Sequence, residues 1–287
     1  MKRKAGISFH FSHLFCNFAA VMNYTLNVKG QLMSLAQPKV MGILNVTPDS
    51  FYAASRTLAE SDIARRAEQI VEEGGTFIDV GACSTRPGST PVSQETEMER
   101  LRLALGIIQR TQPAAIVSVD TFRSDVARMA VEEYGADIIN DVSGGDDDML
   151  RMVSRLGVAY VLTSEKPTLE ESLLFFATQV QRLRDMGHKD VILDPGFGFG
   201  KTLAQNYSLM TRLEQLQVMD LPLLVGVSRK SMIYKLLDVA PEGALNGTTA
   251  LNMVALMKGA AILRVHDVRE AAECVKLMAA LNNKVEP

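Results

Sequence analysis

The sequence predicts an α/β fold, a single (β/α)8 TIM barrel, from three observations. Short runs rich in Val, Ile and Leu alternate with amphipathic segments from residue 40 onward, the pattern of alternating strands and helices. The runs lack strict apolar–polar alternation, as is typical of parallel strands buried on both faces. Eight such units follow one another in a chain of 287 residues, a usual length for one barrel. The alternative, a doubly wound open sheet, usually has a glycine-rich turn after its first strand, where this chain has NVTPDSF.

The eight predicted strands are the apolar runs VMGILN, FIDVG, IVSVD, DIIND, AYVLT, VILD, LLVGVS and AILRVH. Between them, apolar residues repeat at helical spacing. Ile63, Ala67, Ile70 and Val71 share one face of a segment that Gly74 ends. The same spacing recurs at Val126, Ala130, Val131 and Tyr134, and at Leu173, Phe176, Val180 and Leu183. Each predicted strand is thus followed by a helix that can cover it.

Composition limits the classes of partner. The formal net charge of −3 gives no reason to expect binding to nucleic acid or to an anionic membrane. The three cysteines are widely spaced and form neither a disulfide framework nor a zinc pattern. Because reduced cysteines suit the cytosol, we predict a cytoplasmic protein with small-molecule partners, no nucleic acid and no membrane.

We divide the chain into an N-terminal extension with a lead-in, residues 1–37, and a barrel, residues 38–287. The extension begins MKRK and continues with an apolar stretch, which loosely resembles an export signal. Polar residues interrupt the stretch, and no clear small-x-small cleavage site follows. We interpret residues 1–21 as an overlong start before Met22, with an export signal as the alternative.

The stretch DPGFGFGKT, residues 194–202, is dense in glycine but fits neither nucleotide-binding motif. A phosphate-binding P-loop needs glycine where Pro195 stands, and a dinucleotide fingerprint needs glycine where Lys201 stands. Both motifs therefore fail at a required residue. What remains is Asp194, a carboxylate at the end of an apolar run.

Polar side chains stand at or near the ends of most predicted strands. One such residue alone is more often a helix cap or a loop start than a functional group. Carboxylates and amides at four strand ends, with cations at the last two, are harder to explain as independent caps. Because the C-terminal strand ends of a barrel meet at its active-site face, we expect these side chains to lie together. They are Asn45, Asp79, Asp120, Asn140, Asp141, Asp194, Ser228, Arg229, Lys230, Arg264 and His266.

Charge divides these residues into two groups. Asp120, Asn140 and Asp194 suit a flat, amide-rich heterocycle, because a carboxylate accepts two parallel N–H bonds from such a ring. The second group suits an anion, since the last two loops of a barrel commonly bind phosphate. Lys230 lies between the groups and can donate to either. The predicted anion-facing residues are Arg264, His266, Asn45 and Thr85.

Two turn-rich loops, NVTPDSFYAAS and STRPGSTPVS, carry Phe51 and Arg86 among polar residues. Polar loops on a rigid scaffold often carry function. We interpret the pair as lids that close over a second substrate and exclude water. The alternative is that Pro48 and Pro87 only form turns in these loops.

Seven motifs in order carry a family resemblance: GILNVTPDSF, IDVGACSTRPGS, VSVDT, IINDVSGG, LDPGFGFGKT, GVSRKS and RVHDV. They resemble dihydropteroate synthase from about Pro38 to the C-terminus. The resemblance implies a transferase that joins 6-hydroxymethyl-7,8-dihydropterin diphosphate to p-aminobenzoate. Such an enzyme releases pyrophosphate and makes 7,8-dihydropteroate for folate synthesis. The resemblance also implies a Mg²⁺ cofactor, a homodimer and a sulfonamide target.

The resemblance assigns roles to individual residues. Catalytic roles fall to Asp120, Lys230, Arg264 and His266. Pterin-binding positions are Asp120, Asn140, Asp194, Lys230 and Arg264. Diphosphate contacts are Asn45, Thr85, Arg264 and His266, and Asn45 also matches the Mg²⁺ position. The p-aminobenzoate positions are Thr85, Pro87, Phe51, Phe199, Ser228 and Lys230.

The implied chemistry fits these residue types. Loss of diphosphate from the methylene group of a dihydropterin leaves a cation delocalised into the ring, which a fixed carboxylate such as Asp120 would stabilise. Mg²⁺, Arg264 and His266 would stabilise the departing pyrophosphate. The arylamine is already neutral at neutral pH, so no strong base is needed, in agreement with the lack of an obvious Ser-His or Cys-His pair.

The chain departs from the family pattern at three places. It reads YAAS where the family has Ser-Asp-Gly-Gly, Ala82 and Cys83 where the family has Gly-Glu, and TSEKPT where the family has a His-Met-rich stretch. These changes leave the pterin and diphosphate residues intact and concern loop closure and sulfonamide response. A non-catalytic pterin-binding paralogue is one alternative. A methyltetrahydrofolate-type methyltransferase barrel is another, although such an enzyme does not need residues that bind a diphosphate group.

Overall fold

The computed structural model describes residues 24–46, 56–83 and 92–282. A hairpin of β1 (Thr25–Val28) and β2 (Gln31–Ser34) precedes eight parallel strands that close into a barrel. The barrel strands are β3 (Lys39–Asn45), β4 (Phe77–Gly81), β5 (Ile116–Asp120), β6 (Ile138–Asp141), β7 (Ala159–Thr163), β8 (Val191–Asp194), β9 (Leu223–Val225) and β10 (Ala260–Val265). They run around the barrel in chain order, and β10 closes against β3. The predicted (β/α)8 barrel is confirmed.

Helices cover the outside of the barrel. They are α1 (Arg56–Glu72), α2 (Gln94–Thr111), α3 (Ser124–Tyr134), α4 (Asp147–Leu156), α5 (Leu169–Asp185), α6 (Leu203–Thr211), α7 (Ser231–Tyr234), α8 (Leu245–Met257) and α9 (Val268–Asn282). Two 3₁₀ helices span Leu213–Met219 and Pro241–Ala244. Capping boxes begin α5 and α6, where a threonine and a residue three positions on satisfy each other's backbone N–H groups.

Helix α1 shows how the predicted apolar faces pack. Ile63, Ala67 and Ile70 are buried, as the helical spacing predicts. Val71 is 41% exposed, because it lies about 100° around the helix from Ile70 and so leaves the buried stripe. A Cβ atom on Gly42 would lie 2.6 Å from Cγ2 of Ile70. Glycine at this position of β3 therefore lets α1 lie close against the barrel.

The hairpin closes the N-terminal end of the barrel. Leu26, Val28 and Leu35 pack into a buried apolar cluster with side chains near the starts of the strands, such as Phe77 and Ile138. Burial of these side chains stabilises the fold by about 1.5–3 kcal/mol each before packing losses are counted. The mouth at the opposite end, where the strands finish, is left for polar groups.

The first barrel strand begins at Lys39, and the hairpin lies in the predicted lead-in. The division at residue 38 stays a prediction, and residues 1–21 lie outside the described part of the chain. Across residues 24–46, 56–83 and 92–282, no helix combines the length and apolar character needed to cross a membrane.

Candidate active site

Strand register brings the polar strand-end residues to one face. Gly81 on β4 pairs with Asp120 on β5, and Asp120 pairs with Asn140 on β6. Thr163 on β7 pairs with Asp194 on β8 in the same way. Paired residues on neighbouring parallel strands point to the same side of the sheet. These side chains therefore converge inside the C-terminal mouth of the barrel.

Arg264 on β10 joins two carboxylates across the mouth. Its Nε donates to Oδ2 of Asp79 at 2.6 Å, and its Nη2 donates to Oδ2 of Asp120 at 2.5 Å. The Arg264 side chain is only 16% exposed. Charge-assisted bonds of this kind are short and strong when water is excluded. Residues separated by 144 positions in the chain thus form one site.

Asp79 is the centre of this network. The sequence places it among the strand-end residues that meet at the mouth but gives it no ligand role. Its Oδ1 accepts from Oγ of Ser118 at 2.6 Å, and its Oδ2 accepts from Nδ2 of Asn140 at 3.1 Å. Asp79 is fully buried, so every one of its bonds forms out of water. An acidic residue in the middle of the apolar run FIDVG was the available signal.

Asn140 presents an acceptor to the mouth. Its Nδ2 is held by Asp79, while its Oδ1 is buried with no hydrogen-bond partner among the described residues. A buried acceptor without a partner costs free energy unless a ligand satisfies it. Asn140 therefore suits a ligand that donates an N–H group.

The protonation equilibrium of the Asp120 carboxyl group is shifted by its surroundings. Burial raises the pKa of Asp120 to about 7, and the nearby Asp79 adds to the rise, while the Arg264 guanidinium opposes it. Two carboxylates thus share one cation in a buried site. A positive charge that develops beside Asp120 would favour its ionised form.

Asp194 at the end of β8 and Lys230, which precedes α7 in the loop after β9, form a second cluster. Oδ1 of Asp194 accepts the backbone N–H of Gly196 at 2.8 Å. Lys230 donates to the carbonyl of Phe197, and its Nζ lies 4.7 Å from the centre of the Phe199 ring. Burial raises the pKa of Asp194, opposed by Lys230, and burial lowers the pKa of Lys230 to about 8, opposed by Asp194.

Lys201, the residue that ruled out a dinucleotide motif, supports the loop after β8. Its Nζ donates to the carbonyls of Ser164 and Gly196, each at 3.0 Å. Gly196 has φ of +67°, and a Cβ atom there would lie 2.2 Å from the carbonyl oxygen of Ser164. DPGFGFGKT is thus a tightly packed turn that positions Asp194 and Phe199, and its lysine binds carbonyl groups of the protein.

His266 is neutral in this site. Burial lowers the pKa of His266 to about 4, and the charge of Arg264 lowers it further. Oγ of Ser228 accepts the backbone N–H of His266 at 3.1 Å and lies 3.0 Å from its Nδ1. Where the Ser228 hydroxyl donates to Nδ1, the ring hydrogen lies on Nε2 and makes that nitrogen a donor. The sequence groups His266 with the cations, whereas the lowered pKa favours the neutral ring instead.

The sequence of this barrel is similar to that of known enzymes. Residues 41–266 match the family model described as pterin binding enzyme. The chain belongs to the pterin-binding enzyme family. The dihydropteroate synthase of Escherichia coli strain K12 is 39% identical over 272 residues, covering 89% of this chain and 95% of that protein. The dihydropteroate synthase of Bacillus subtilis strain 168 is 37% identical, covering 85% and 89%.

Solved structures of the same kind superimpose on this barrel. The Xanthomonas albilineans dihydropteroate synthase with 4-aminobenzoic acid gives a TM-score of 0.84 at 33% identity, covering 92% of this chain and 100% of that one. The Coxiella burnetii dihydropteroate synthase in complex with pteroic acid gives 0.80 at 34%, covering 91% and 99%. The predicted resemblance to dihydropteroate synthase is confirmed, and so is the prediction of an enzyme of the transferase class.

Two strand-end residues of this pterin-binding enzyme do not face the mouth as free groups. Asp141 is saturated locally, because it accepts from Ser143, Gly145 and the hydroxyl of Tyr160. Arg229 makes a two-point ion pair with Asp267, with N–O distances of 2.6 and 3.0 Å. Both side chains shape the loops and leave ligand binding to their neighbours.

The diphosphate side is only partly described. Asn45 is exposed at the end of β3. Arg66 on α1 joins the ends of β3 and β10, since it donates to the carbonyls of Ile43 at 3.2 Å and His266 at 2.6 Å. Thr85, Phe51 and Pro87, which the resemblance assigned to diphosphate or p-aminobenzoate, lie outside the described residues.

Asn45 can serve Mg²⁺ as a single protein ligand. Within the described ranges, no group of three or more His, Cys, Asp or Glu side chains is placed to hold a metal ion. Mg²⁺ at phosphate sites keeps several waters and takes few protein ligands beside the substrate's phosphates. A Cβ atom added to Gly81 would lie 3.5 Å from Oδ1 of Asn45 and 3.7 Å from Oδ2 of Asp120. The two oxygens therefore lie near each other at the mouth. An oxygen ligand at the mouth therefore fits such an ion.

Proposed function

We propose that this protein is a dihydropteroate synthase, which joins 6-hydroxymethyl-7,8-dihydropterin diphosphate to p-aminobenzoate and releases pyrophosphate. The observation that carries the proposal is the convergence, at one barrel mouth, of acceptor oxygens, which we call the acceptor side, with cationic side chains. Asp120, Asn140 and Asp194 offer oxygens, while Lys230 and Arg264 offer positive charge. The complexes of relatives with 4-aminobenzoic acid and with pteroic acid support the same pair of substrates.

The acceptor side suits the N–H edge of a dihydropterin. The carboxylate of Asp194 accepts the ring N–H and one N–H of the exocyclic amine as two parallel bonds. Oδ1 of Asn140 accepts a further ring N–H and loses its unsatisfied state. Lys230 faces the opposite edge, where the ring carbonyl and N5 are acceptors. The ring is thereby oriented with its methylene group toward Arg264.

The reaction then proceeds by separation of charge. The bond between the methylene carbon and the diphosphate oxygen breaks, and the electron pair leaves with the pyrophosphate. The resulting cation is delocalised into the ring beside Asp120, whose carboxylate stabilises it. The nitrogen lone pair of p-aminobenzoate forms the new C–N bond, and the proton lost from that nitrogen passes to solvent.

The departing pyrophosphate is stabilised on the other side of the mouth. Arg264 supplies positive charge, and the Nε2–H of neutral His266 supplies a hydrogen-bond donor. Asn45 would hold Mg²⁺, which when bound neutralises charge on the leaving group. The family's homodimer and the cytoplasmic location stay predictions. A Yersinia pestis relative in complex with a sulfonamide drug supports the proposal that this enzyme too is a sulfonamide target.

Pyrophosphate release tests the proposal directly. We expect rapid release when dihydropterin diphosphate and p-aminobenzoate are both present, with dihydropteroate formed in equal amount. Tight binding of dihydropterin diphosphate without product would favour a non-catalytic pterin-binding paralogue. Transfer of a methyl group from methyltetrahydrofolate would favour the methyltransferase barrel.

Asp120→Asn separates the chemical step from binding. The amide keeps the size of the side chain but removes the anion, so we expect turnover to fall by about 100-fold or more. Circular dichroism should report an unchanged fold. A rate close to that of the wild type would remove Asp120 from the cation-stabilising role.

A further inference from the structure

Thr163 ends β7 with a buried hydroxyl that has no hydrogen-bond partner among the described residues. Its Cα pairs in register with that of Asp194 on β8, so the two side chains point to the same inner face of the barrel. The side chain of Thr163 is fully buried. A hydroxyl buried without a partner is destabilising, and in a binding cavity this cost points to a ligand.

The position of Thr163 completes an arc of oxygens. Four consecutive strands, β5 to β8, carry an inward-facing polar residue at the last position or, in β6, at the position before the last. Asp120, Asn140, Thr163 and Asp194 follow one another around the mouth in that order. Asn140 likewise has a buried oxygen without a partner in the described part of the chain. Two adjacent unsatisfied oxygens indicate a ligand edge that is rich in N–H donors.

Packing holds the threonine in place. A Cβ atom on Gly196 would lie 3.2 Å from Cγ2 of Thr163, so the methyl group faces the tight turn after β8. The branched side chain has few other conformations available on a strand. The strand order places Thr163 between Asn140 and Asp194, with few side-chain conformations available.

We propose that Oγ1 of Thr163 accepts the second N–H of the exocyclic amine of the dihydropterin, an inference that rests on the proposed function. The donors of a dihydropterin follow one another along one edge as N3–H, the exocyclic amine and N8–H. Asp194 takes N3–H and one amine N–H, and Asn140 lies two strands away toward N8–H. The remaining amine N–H falls between them, where Thr163 stands.

Binding of two ligands to matched variants tests the assignment. The ligands are 6-hydroxymethyl-7,8-dihydropterin diphosphate and an analogue in which hydrogen replaces the exocyclic amine. Thr163→Val removes the hydroxyl at nearly constant size, and Thr163→Ser keeps it. We expect Thr163→Val to bind the natural ligand about 5- to 15-fold more weakly and the analogue as tightly as the wild type does. Thr163→Ser should bind both ligands like the wild type.

Thermal unfolding separates ligand binding from a structural role. Because the hydroxyl has no partner among the described residues, Thr163→Val should melt at or above the wild-type temperature. Thr178→Val is the matched control, since the hydroxyl of Thr178 bonds the carbonyl of Leu174 on α5. That variant should leave both affinities unchanged. If Thr163→Val does not fold, Thr163→Cys offers a poor acceptor of similar size and should show the same selective loss.

Three results would overturn the assignment. One is equal binding of the natural ligand by Thr163→Val and the wild type. Another is an equal loss for both ligands, which would mean a change of shape and not a lost bond to the amine. A third is a lower melting temperature with unchanged affinity. A wild-type protein that binds neither ligand would overturn the proposed function and this inference together, whereas the three results above leave the proposed function standing.

Discussion

The two ends of the barrel have opposite chemistry although the same strands build both. At the N-terminal end, Leu26 and Val28 of the hairpin and Leu35, which follows it, pack against apolar strand residues. At the C-terminal end, Asp79 and Arg264 meet in a buried ion pair. The change occurs within two residues along a strand, because every second residue of a strand faces inward. The paired examples are Phe77 and Asp79, Ile138 and Asn140, Ile192 and Asp194, and Ile262 and Arg264.

This difference separates stability from chemistry along each strand. An apolar side chain near the start of a strand lowers the free energy of the fold without contact to a ligand. A polar side chain two residues later is costly to bury unless it is paired, and its pairing shapes the site. The stability of the fold and the activity of the site therefore depend on different residues of the same strand.

Phe77→Ala tests the N-terminal end and has the largest expected effect on stability. Phe77 is fully buried beneath the mouth, and its truncation leaves a cavity that costs about 3–5 kcal/mol. Guanidinium unfolding should report that loss. The KM for both substrates should stay within about twofold at a temperature where the variant is folded, because Phe77 lies in the apolar cluster at the N-terminal end of the barrel and not among the polar groups of the mouth.

Phe77→Leu is the matched control for that cavity. It keeps most of the volume and should cost about 1.5 kcal/mol or less. A tenfold rise in the KM for dihydropterin diphosphate in either Phe77 variant would break the separation between the two ends.

Asp79→Asn tests the C-terminal end. The change removes a buried anion that holds Arg264 and Asn140, although Arg264 keeps Asp120 as a partner. We expect a stability loss of about 1.5–3 kcal/mol. We also expect kcat/KM to fall by about 10- to 100-fold, which corresponds to a free energy of about 1.4–2.7 kcal/mol, comparable to the stability loss.

Ser118→Ala sharpens the role of Asp79. It removes one hydrogen bond to the Asp79 carboxylate and leaves the charge in place, so it should cost about 1 kcal/mol with a small change in kcat/KM. If Asp79→Asn and Ser118→Ala lowered kcat/KM equally, the charge of Asp79 would not be what positions Arg264.

His266→Gln has an effect that depends on pH. The pKa of His266 is about 4 in the folded protein and about 6.5 in the unfolded chain. Between these values the unfolded state binds more protons, so the contribution of His266 to stability rises with pH. That contribution is complete above pH 6.5 and is lost as the pH falls toward 4.

The free energy of unfolding of the wild type and of His266→Gln, measured from pH 4 to pH 8, checks this sign. The difference should rise by on the order of 2 kcal/mol between pH 4 and pH 6.5 and then stay level. A difference that grew as the pH fell would mean that His266 is a buried cation after all.

The barrel itself was predictable from the sequence. Each strand is a continuous apolar run, because it is covered on both faces, and each helix carries a separate apolar stripe. Each of the eight runs overlaps one of the eight barrel strands, although the run LLVGVS extends three residues past the end of β9 at Val225. Val71 was the exception in α1, since a position at the edge of a helical stripe is buried or exposed according to the neighbouring helix.

The site was predictable as a set of strand-end residues and less so as a network. Asp120, Asn140, Asp194, Lys230 and Arg264 could be named because they follow apolar runs. The central position of Asp79 and the neutrality of His266 could not, because both depend on partners far away in the chain and on burial. The hydroxyl of Thr163 gave no sequence signal, since threonine is an ordinary strand residue.

Binding of dihydropterin diphosphate to Asp194→Ala, measured by calorimetry, tests most directly whether the barrel mouth is the pterin site. The variant removes the carboxylate that we expect to accept two N–H bonds of the ring. We predict at least a 100-fold loss of affinity for dihydropterin diphosphate, with the affinity for free pyrophosphate within about threefold of the wild type. Retained tight binding of dihydropterin diphosphate would contradict the account, because Asp194 would then be only a turn residue after β8.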